Sequence, residues 1–167
     1  MRMYTIENLI DDLESFNLWV SSLENFDEKL YFIPIASGKW SVAEIICHIS
    51  FWDRYIIEEM LPIMKKDAVI TGIEFEPMNQ RAAEYALSGF TSKELIQLQI
   101  ETRSKLLSSL KKKTEEEFFA EFIYDGKEID EYSGSPHSLF NYLCGFVWHD
   151  VHHKKQVEAF LSQQMEK

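Results

Sequence analysis

Four long apolar stripes with a helical period restrict the fold of this sequence more than any other feature, and two of them open on an explicit start signal. Ser41 and Glu44 form an S-x-x-E capping box, and so do Thr91 and Glu94. In such a box the hydroxyl accepts the N3 amide and the carboxylate accepts the N-cap amide, so two orphan donors of the helix start are satisfied. Behind Ser41 the inward positions read Ile45, His48, Trp52 (or Phe51), Tyr55, Ile56 and Met60, and the pattern runs to about Lys66. Pro62 lies inside that run and predicts a kink or an end near Leu61, because proline lacks an N–H and clashes with the preceding turn. Behind Thr91 the stripe reads Leu95, Leu98, Thr102, Leu106 and Leu110 (or Leu107), which predicts a helix from Ser92 to about Lys112. Lys111, Lys112 and Lys113 fall at its end, where cations complement the helix dipole. A further helix over 6–24 follows Thr5 as N-cap, with Ile6, Leu9, Ile10, Leu13, Phe16, Val20 and Leu23 on one face. The last runs from Pro136 to about Gln163, with Ser135 as N-cap and Pro136 at N1. Its stripe is Leu139, Leu143 (or Tyr142), Phe146, His149, His153, Val157 and Phe160. Gly145 interrupts it at a cost of roughly 1 kcal/mol relative to Ala. Four amphipathic helices with almost no strand pattern bury their faces against one another, which predicts an all-α four-helix bundle with long crossover connections.

The connections carry weaker signals. Residues 25–38 hold Pro34, Gly38 and a short turn at Glu28–Leu30. Residues 67–90 form the longest irregular region, with a short helix expected over Pro77–Leu87, and read as a crossover connection rather than a lid. Thr114–Phe119 reads as one more helical turn, and Asp125-Gly126 as the turn of a short hairpin within 120–134. At 167 residues, residues 1–167 are expected to form one domain.

The net charge of −11 argues against nucleic acid and against an anionic membrane surface, both of which select basic patches. No apolar run approaches the ~18 residues of a membrane span. Met1-Arg2-Met3-Tyr4-Thr5 lacks the apolar core of a secretory signal, so a cytoplasmic location is expected. Cys47 and Cys144 both lie in apolar helical stretches and read as buried free thiols.

Chemistry concentrates in Trp148-His149-Asp150-Val151-His152-His153, which holds three of the five histidines. His149 and His153 are spaced i, i+4, so their Cβ atoms are about 5–6 Å apart on one helix face. Both fall on the apolar stripe. Two inward imidazoles need polar partners, because an unpaired buried polar group is costly, and one shared metal ion satisfies both. Catalytic zinc sites take three protein ligands. His48, on the inward stripe of the second helix, is the third candidate. The blander alternative is a set of core histidines with ordinary hydrogen bonds, and the periodicity of the second helix alone favours it for His48. His152 lies about 100° from His153 and could replace either neighbour. Cys47 turns a similar angle from His48 and is a poor co-ligand. Asp53 and Asp150 do not share the ligand face cleanly and are expected to be exposed or just behind the ligands. Trp52, Tyr55 and Trp148 are candidates for a pocket wall, with plain core packing as the alternative.

Two of these segments resemble the DinB-like superfamily, which includes YfiT-like metal-dependent hydrolases and bacillithiol or mycothiol S-transferases. Lys39-Trp40-Ser41 through His48-Ile49 is similar to the family's K-W-S/T…H-I entry to its second helix. Trp148-His149-x-x-His152-His153-x-x-Gln156 is similar to its W-H-x-x-H-H run. The resemblance implies an up-down-down-up four-helix bundle. It also implies one divalent metal ion, nickel or zinc, on His48, His149 and His153. Three functions follow: a transferase acting with a low-molecular-weight thiol and an electrophile, a metal-dependent hydrolase, or a non-catalytic metal-binding stress protein. The resemblance alone favours the first. A homodimer is left open.

Overall fold

The structure is a computed structural model that describes residues 3–166. Among the described residues there are six α-helices: α1 (Ile6–Ser22), α2 (Val42–Tyr55), α3 (Phe75–Ala86), α4 (Ser92–Leu110), α5 (Glu115–Phe119) and α6 (Leu139–Met165). The start signals operate as the sequence implies. The Ser41/Glu44 and Thr91/Glu94 boxes both close, and Thr5 makes a third box with Asn8. A fourth, Thr114 with Glu117, opens α5.

Contacts between the long helices set their directions. On α1 and α4, Asn17 donates to the Ile100 carbonyl, while Glu14 pairs with Lys111, so the two run antiparallel. On α2 and α4, Ser50 bonds Gln99 and Asp53 bonds Arg103, which makes them parallel. Tyr4 meets Phe140 and Lys154 lies over Trp19, so α1 and α6 are parallel. His48 opposite His149 and Trp52 opposite Phe146 make α2 and α6 antiparallel. The result is an up-down-down-up four-helix bundle, in which α3 and its flanking loops form the crossover that two parallel neighbours require.

The apolar pattern of the second helix runs to Lys66, but the helix stops at Met60 with Leu61 as its cap, where Pro62 predicts the end. Its last turn, Ile56–Met60, is π-helical and closes with Leu61 N–H on the Ile56 carbonyl at 2.8 Å, just ahead of Pro62. Two local expectations are corrected. The last helix starts at Leu139, capped by Ser138 on the Asn141 amide, not at Pro136. Pro136 is instead held in a bridge with Ile129, and its carbonyl accepts from the Asn141 side chain. The crossover helix begins at Phe75, two residues before Pro77; proline is tolerated in a first turn, where its missing N–H would have no partner.

The Asp125-Gly126 turn forms as expected, with Tyr124 and Lys127 exchanging both backbone bonds and positive φ at the two central residues. Unread from sequence is a two-residue parallel pair, β1 (Val69–Ile70) with β2 (Ile123–Tyr124), which ties the crossover to the segment before α6. α2 is buried nearly all round, including Cys47, Ser50 and Asp53, and lies centrally in the bundle. Among the described residues no helix is long and apolar enough to cross a membrane.

Candidate metal centre

His48 projects from the middle of α2, and His149 and His153 from successive turns of α6. The antiparallel packing of these helices brings all three rings together. His149 Nε2 lies 2.8 Å from His48 Nε2 and 3.1 Å from His153 Nε2. The three donor atoms fall within 4.8 Å of one another. Nitrogens bound to one ion at 2.0–2.1 Å stand about 2.9–3.4 Å apart for ligand angles between 90° and tetrahedral, so the donor set fits one divalent ion with little movement.

The environment keeps these nitrogens as neutral lone-pair donors. Burial pushes the His48 imidazole down to about 3, the charge of His153 adds to that, and Asn79 beside it opposes. His149 is also pushed to about 3, by burial first and then by His153 and His48. His153 is lowered by burial, with Gln156 pulling the other way. Its Nδ1–H donates to Gln156 Oε1 at 2.9 Å, which leaves the Nε2 lone pair facing the other two rings. A single proton can bridge only one of the close Nε2 pairs. The third nitrogen is then unpartnered, and the Nδ1 atoms of His48 and His149 are buried without partners among the described residues. An ion shared by three Nε2 atoms removes the conflict at the centre. Trp40 covers one side, its ring centroid 4.8 Å from His48 and 6.5 Å from His153. Beyond His153 a cleft of about 170 Å³ opens between Trp40, Lys39, Ile45 and Gln156.

His152 and Trp148 lie outside this centre. Both are exposed on the far face of α6, where they stack on each other at 5.5 Å and 12°. Trp148 therefore does not wall this centre, and His152 does not replace His149 or His153. His137, the fifth histidine, packs against Phe122 and Tyr124 instead. Cys47 is fully buried, its thiol pushed up to about 12, and Cys144 is half-buried.

Of the two places expected for Asp53 and Asp150, exposed or just behind the ligands, the structure shows the second, and the cation that holds them there, Arg103, was not read from the sequence. Asp53 and Asp150 are buried, and both grip Arg103 of α4, itself 1 % exposed. Arg103 Nε and Nη2 take the two oxygens of Asp53 at 2.7 and 3.0 Å, while Nη1 and Nη2 reach Asp150 at 2.8 and 3.2 Å. Gln99 adds a bond to Asp53, and the Leu13 carbonyl accepts from Nη1. Burial raises the Asp150 carboxyl to about 6 against the pull of Arg103, with Asp53 adding to the rise. The cluster joins α2, α4 and α6 directly behind the His48–His149 contact. Its signal in the sequence was Asp53 itself, a carboxylate in a helix apolar on nearly every side.

Bundle topology and a buried three-histidine centre together define a helical-bundle protein with a site able to hold a metal ion. A model of the DinB superfamily matches residues 14–157, and the chain belongs to that family. Among solved structures it is similar to YfiT from Bacillus subtilis, described as "a probable metal-dependent hydrolase with an unusual four-helix bundle topology". That match has a TM-score of 0.69 at 16% identity and covers 99% of this chain and 90% of the other. No curated protein matches the sequence.

Proposed function

We propose that His48, His149 and His153 hold one divalent ion, nickel or zinc, and that the protein is a transferase acting with a low-molecular-weight thiol. The observation that carries this reading is a three-nitrogen donor set that, among the described residues, includes no carboxylate, while the buried Asp53 and Asp150 are both committed to Arg103. A divalent ion bound there supplies Lewis acidity that lowers the pKa of a coordinated thiol or water.

The residues of the chain do the rest. Burial keeps the imidazoles unprotonated, so they remain ligands at neutral pH. Trp40 shields one side from water, and Gln156 fixes the orientation and tautomer of His153. Hydrolysis usually needs a general base beside the attacking water, and the buried carboxylates of Asp53 and Asp150 are occupied by Arg103. A thiol, ordinarily titrating near ~8.5, needs less help to lose its proton. The family resemblance supports the same choice of sulfur. The description of YfiT favours water instead, which makes hydrolysis the second reading.

The test begins with metal content, expected at about one ion per chain. A cobalt-substituted form should gain a thiolate charge-transfer band on addition of a low-molecular-weight thiol. Turnover with a reactive electrophile should follow, and should vanish in His48→Ala while the helical circular dichroism persists. Ester turnover without thiol would establish the hydrolase. Neither band nor turnover across a thiol and ester panel would leave a metal-binding protein without catalysis.

A further inference from the structure

Two helices carry a histidine, an aromatic ring and a tyrosine along one face, in steps of four and three on one and three and four on the other, each covering seven residues. On α2 the order is His48, Trp52, Tyr55; on antiparallel α6 it is His149, Phe146, Tyr142. Each series follows one helix face, and seven residues of helix span about 10.5 Å. The rings form a continuous ladder, in which Trp52 and Tyr55 are buried and Phe146 and Tyr142 along its edge are half-buried. Trp52 lies 6.4 Å from His48, Phe146 lies 6.0 Å from His149, and a Trp52–Phe146 contact at 6.0 Å forms a rung between the helices. Tyr55 and Tyr142 continue the two sides at 5.5 and 5.1 Å. Phe75, at the start of α3, stands edge-on to Trp52 at 5.3 Å and is 63% exposed, so it forms a rim. Tyr124 of β2 closes the far end, 6.2 Å from Tyr142.

Polar groups sit at the two ends of this strip. Near the histidines, Asn79 accepts the Trp52 indole N–H. At the far end are the hydroxyls of Tyr55, Tyr124 and Tyr142, all raised by burial first, and for Tyr55 and Tyr124 next by a negative neighbour, with no hydrogen bond contributing. Those neighbours include Glu59 and Asp125. Lys127, the cation close to Asp125, is drawn outward to Glu131. A negatively charged ligand group would lose its hydration here and face carboxylates. An aromatic body would gain ring contacts, and a hydroxyl or carbonyl would find tyrosine partners.

We infer that this strip binds the electrophilic substrate, an uncharged molecule with a flat apolar body. Its reactive atom lies at the histidine end, and a hydroxyl or carbonyl group about 10 Å away reaches Tyr55, Tyr124 and Tyr142. The reaction rests on the proposed transferase function; the binding does not, because protein side chains alone form the strip.

The test uses the full chain, stripped of metal, in calorimetric titrations with 4-nitrobenzyl alcohol and 4-nitrobenzoate. These probes share a ring and differ in charge. The alcohol should bind at least about tenfold more tightly than the carboxylate. Phe75→Ala should weaken it about fivefold, and Phe146→Leu similarly. Tyr142→Phe should weaken the alcohol while leaving nitrobenzene unchanged. Should Phe146→Leu not fold, the exposed Phe75 decides. Equal or tighter binding of the carboxylate overturns the inference, as does no saturable binding or wild-type affinity in Phe75→Ala. A protein that binds the alcohol but no divalent ion would overturn the transferase reading and leave the strip standing; the reverse pattern would do the opposite.

Discussion

Replacing Arg103 by methionine preserves much of the apolar stem but removes the cation from between two buried carboxylates. The loss is large because little else serves those groups. Without Arg103, Asp53 keeps the Gln99 amide and Asp150 keeps no bond from another side chain. Removing one partner of a buried ion pair costs about 3–5 kcal/mol. At roughly 2–4 °C per kcal/mol for a chain of this size, Arg103→Met should melt about 6–20 °C below wild type at pH 7. The sign with pH follows from linkage. The Asp150 carboxyl, already raised to about 6 by burial with Arg103 in place, loses the cation that opposes the rise and stands further above the unfolded ~3.9. Such a group contributes its full stability below the unfolded value and loses it as pH rises through the folded value. The deficit relative to wild type should therefore be smallest near pH 4 and grow toward neutrality. Taking that difference at each pH cancels most of the histidine titration; His149 keeps a residual, because Arg103 is among the charges that hold its imidazole down. Urea unfolding followed by circular dichroism between pH 4 and 8 measures it. Asp53→Asn and Asp150→Asn added to Arg103→Met should restore more than half of the loss, since neutral groups no longer demand a counter-charge. A deficit below about 1 kcal/mol at pH 7, or a triple variant no more stable than the single one, would refute the argument.

The metal-free protein should lose stability as pH falls from about 6.5 toward 3, because His48 and His149 are held near 3 when folded and bind protons readily only when unfolded. The slope reaches at most about 2.7 kcal/mol per pH unit for the pair, and His48→Gln should flatten it in urea titrations run with chelator. A protein reconstituted with one ion should melt lower on chelation, by the equivalent of about 2.7 kcal/mol if the ion had stood at a hundredfold excess over its dissociation constant. That drop should shrink at acid pH and be absent in the double variant His149→Ala, His153→Ala; an unchanged melting curve after proven loading would overturn the ligand assignment. In Gly72→Ala the new methyl would collide with the Tyr124 hydroxyl and lie 3.2 Å from Asp125 Oδ2. Overpacking of this kind costs about 1–3 kcal/mol, measurable in urea, and the displaced Tyr124 should weaken 4-nitrobenzyl alcohol binding as well.

The sequence exposes those parts of this fold whose causes are local. Ser41, Thr91 and Thr5 sit within a few residues of the amides they cap, and the i, i+4 pair His149/His153 needs only a helix to share a face. The meeting of His48 with that pair was read from family motifs, because it depends on the relative rotation of α2 and α6, which no local pattern encodes. Arg103 was overlooked for a related reason. A charged residue beside Thr102 on an amphipathic helix reads as solvated unless its two carboxylate partners, on other helices, are already in place. Ser138 displaced the Ser135–Pro136 start because the bridge to Ile129 uses Pro136 in an extended conformation, and that contact is tertiary. The β1–β2 pair was invisible because two residues per strand carry no alternation.

That small parallel pair has a kinetic consequence. Val69–Ile70 and Ile123–Tyr124 lie on either side of α3, α4 and α5 in the chain, so their bonds close a long loop for very little enthalpy. Loop-closure entropy delays such contacts until the intervening helices have condensed. In refolding, helical ellipticity should return first. The β1–β2 clasp, and with it the placement of Tyr124, should set last.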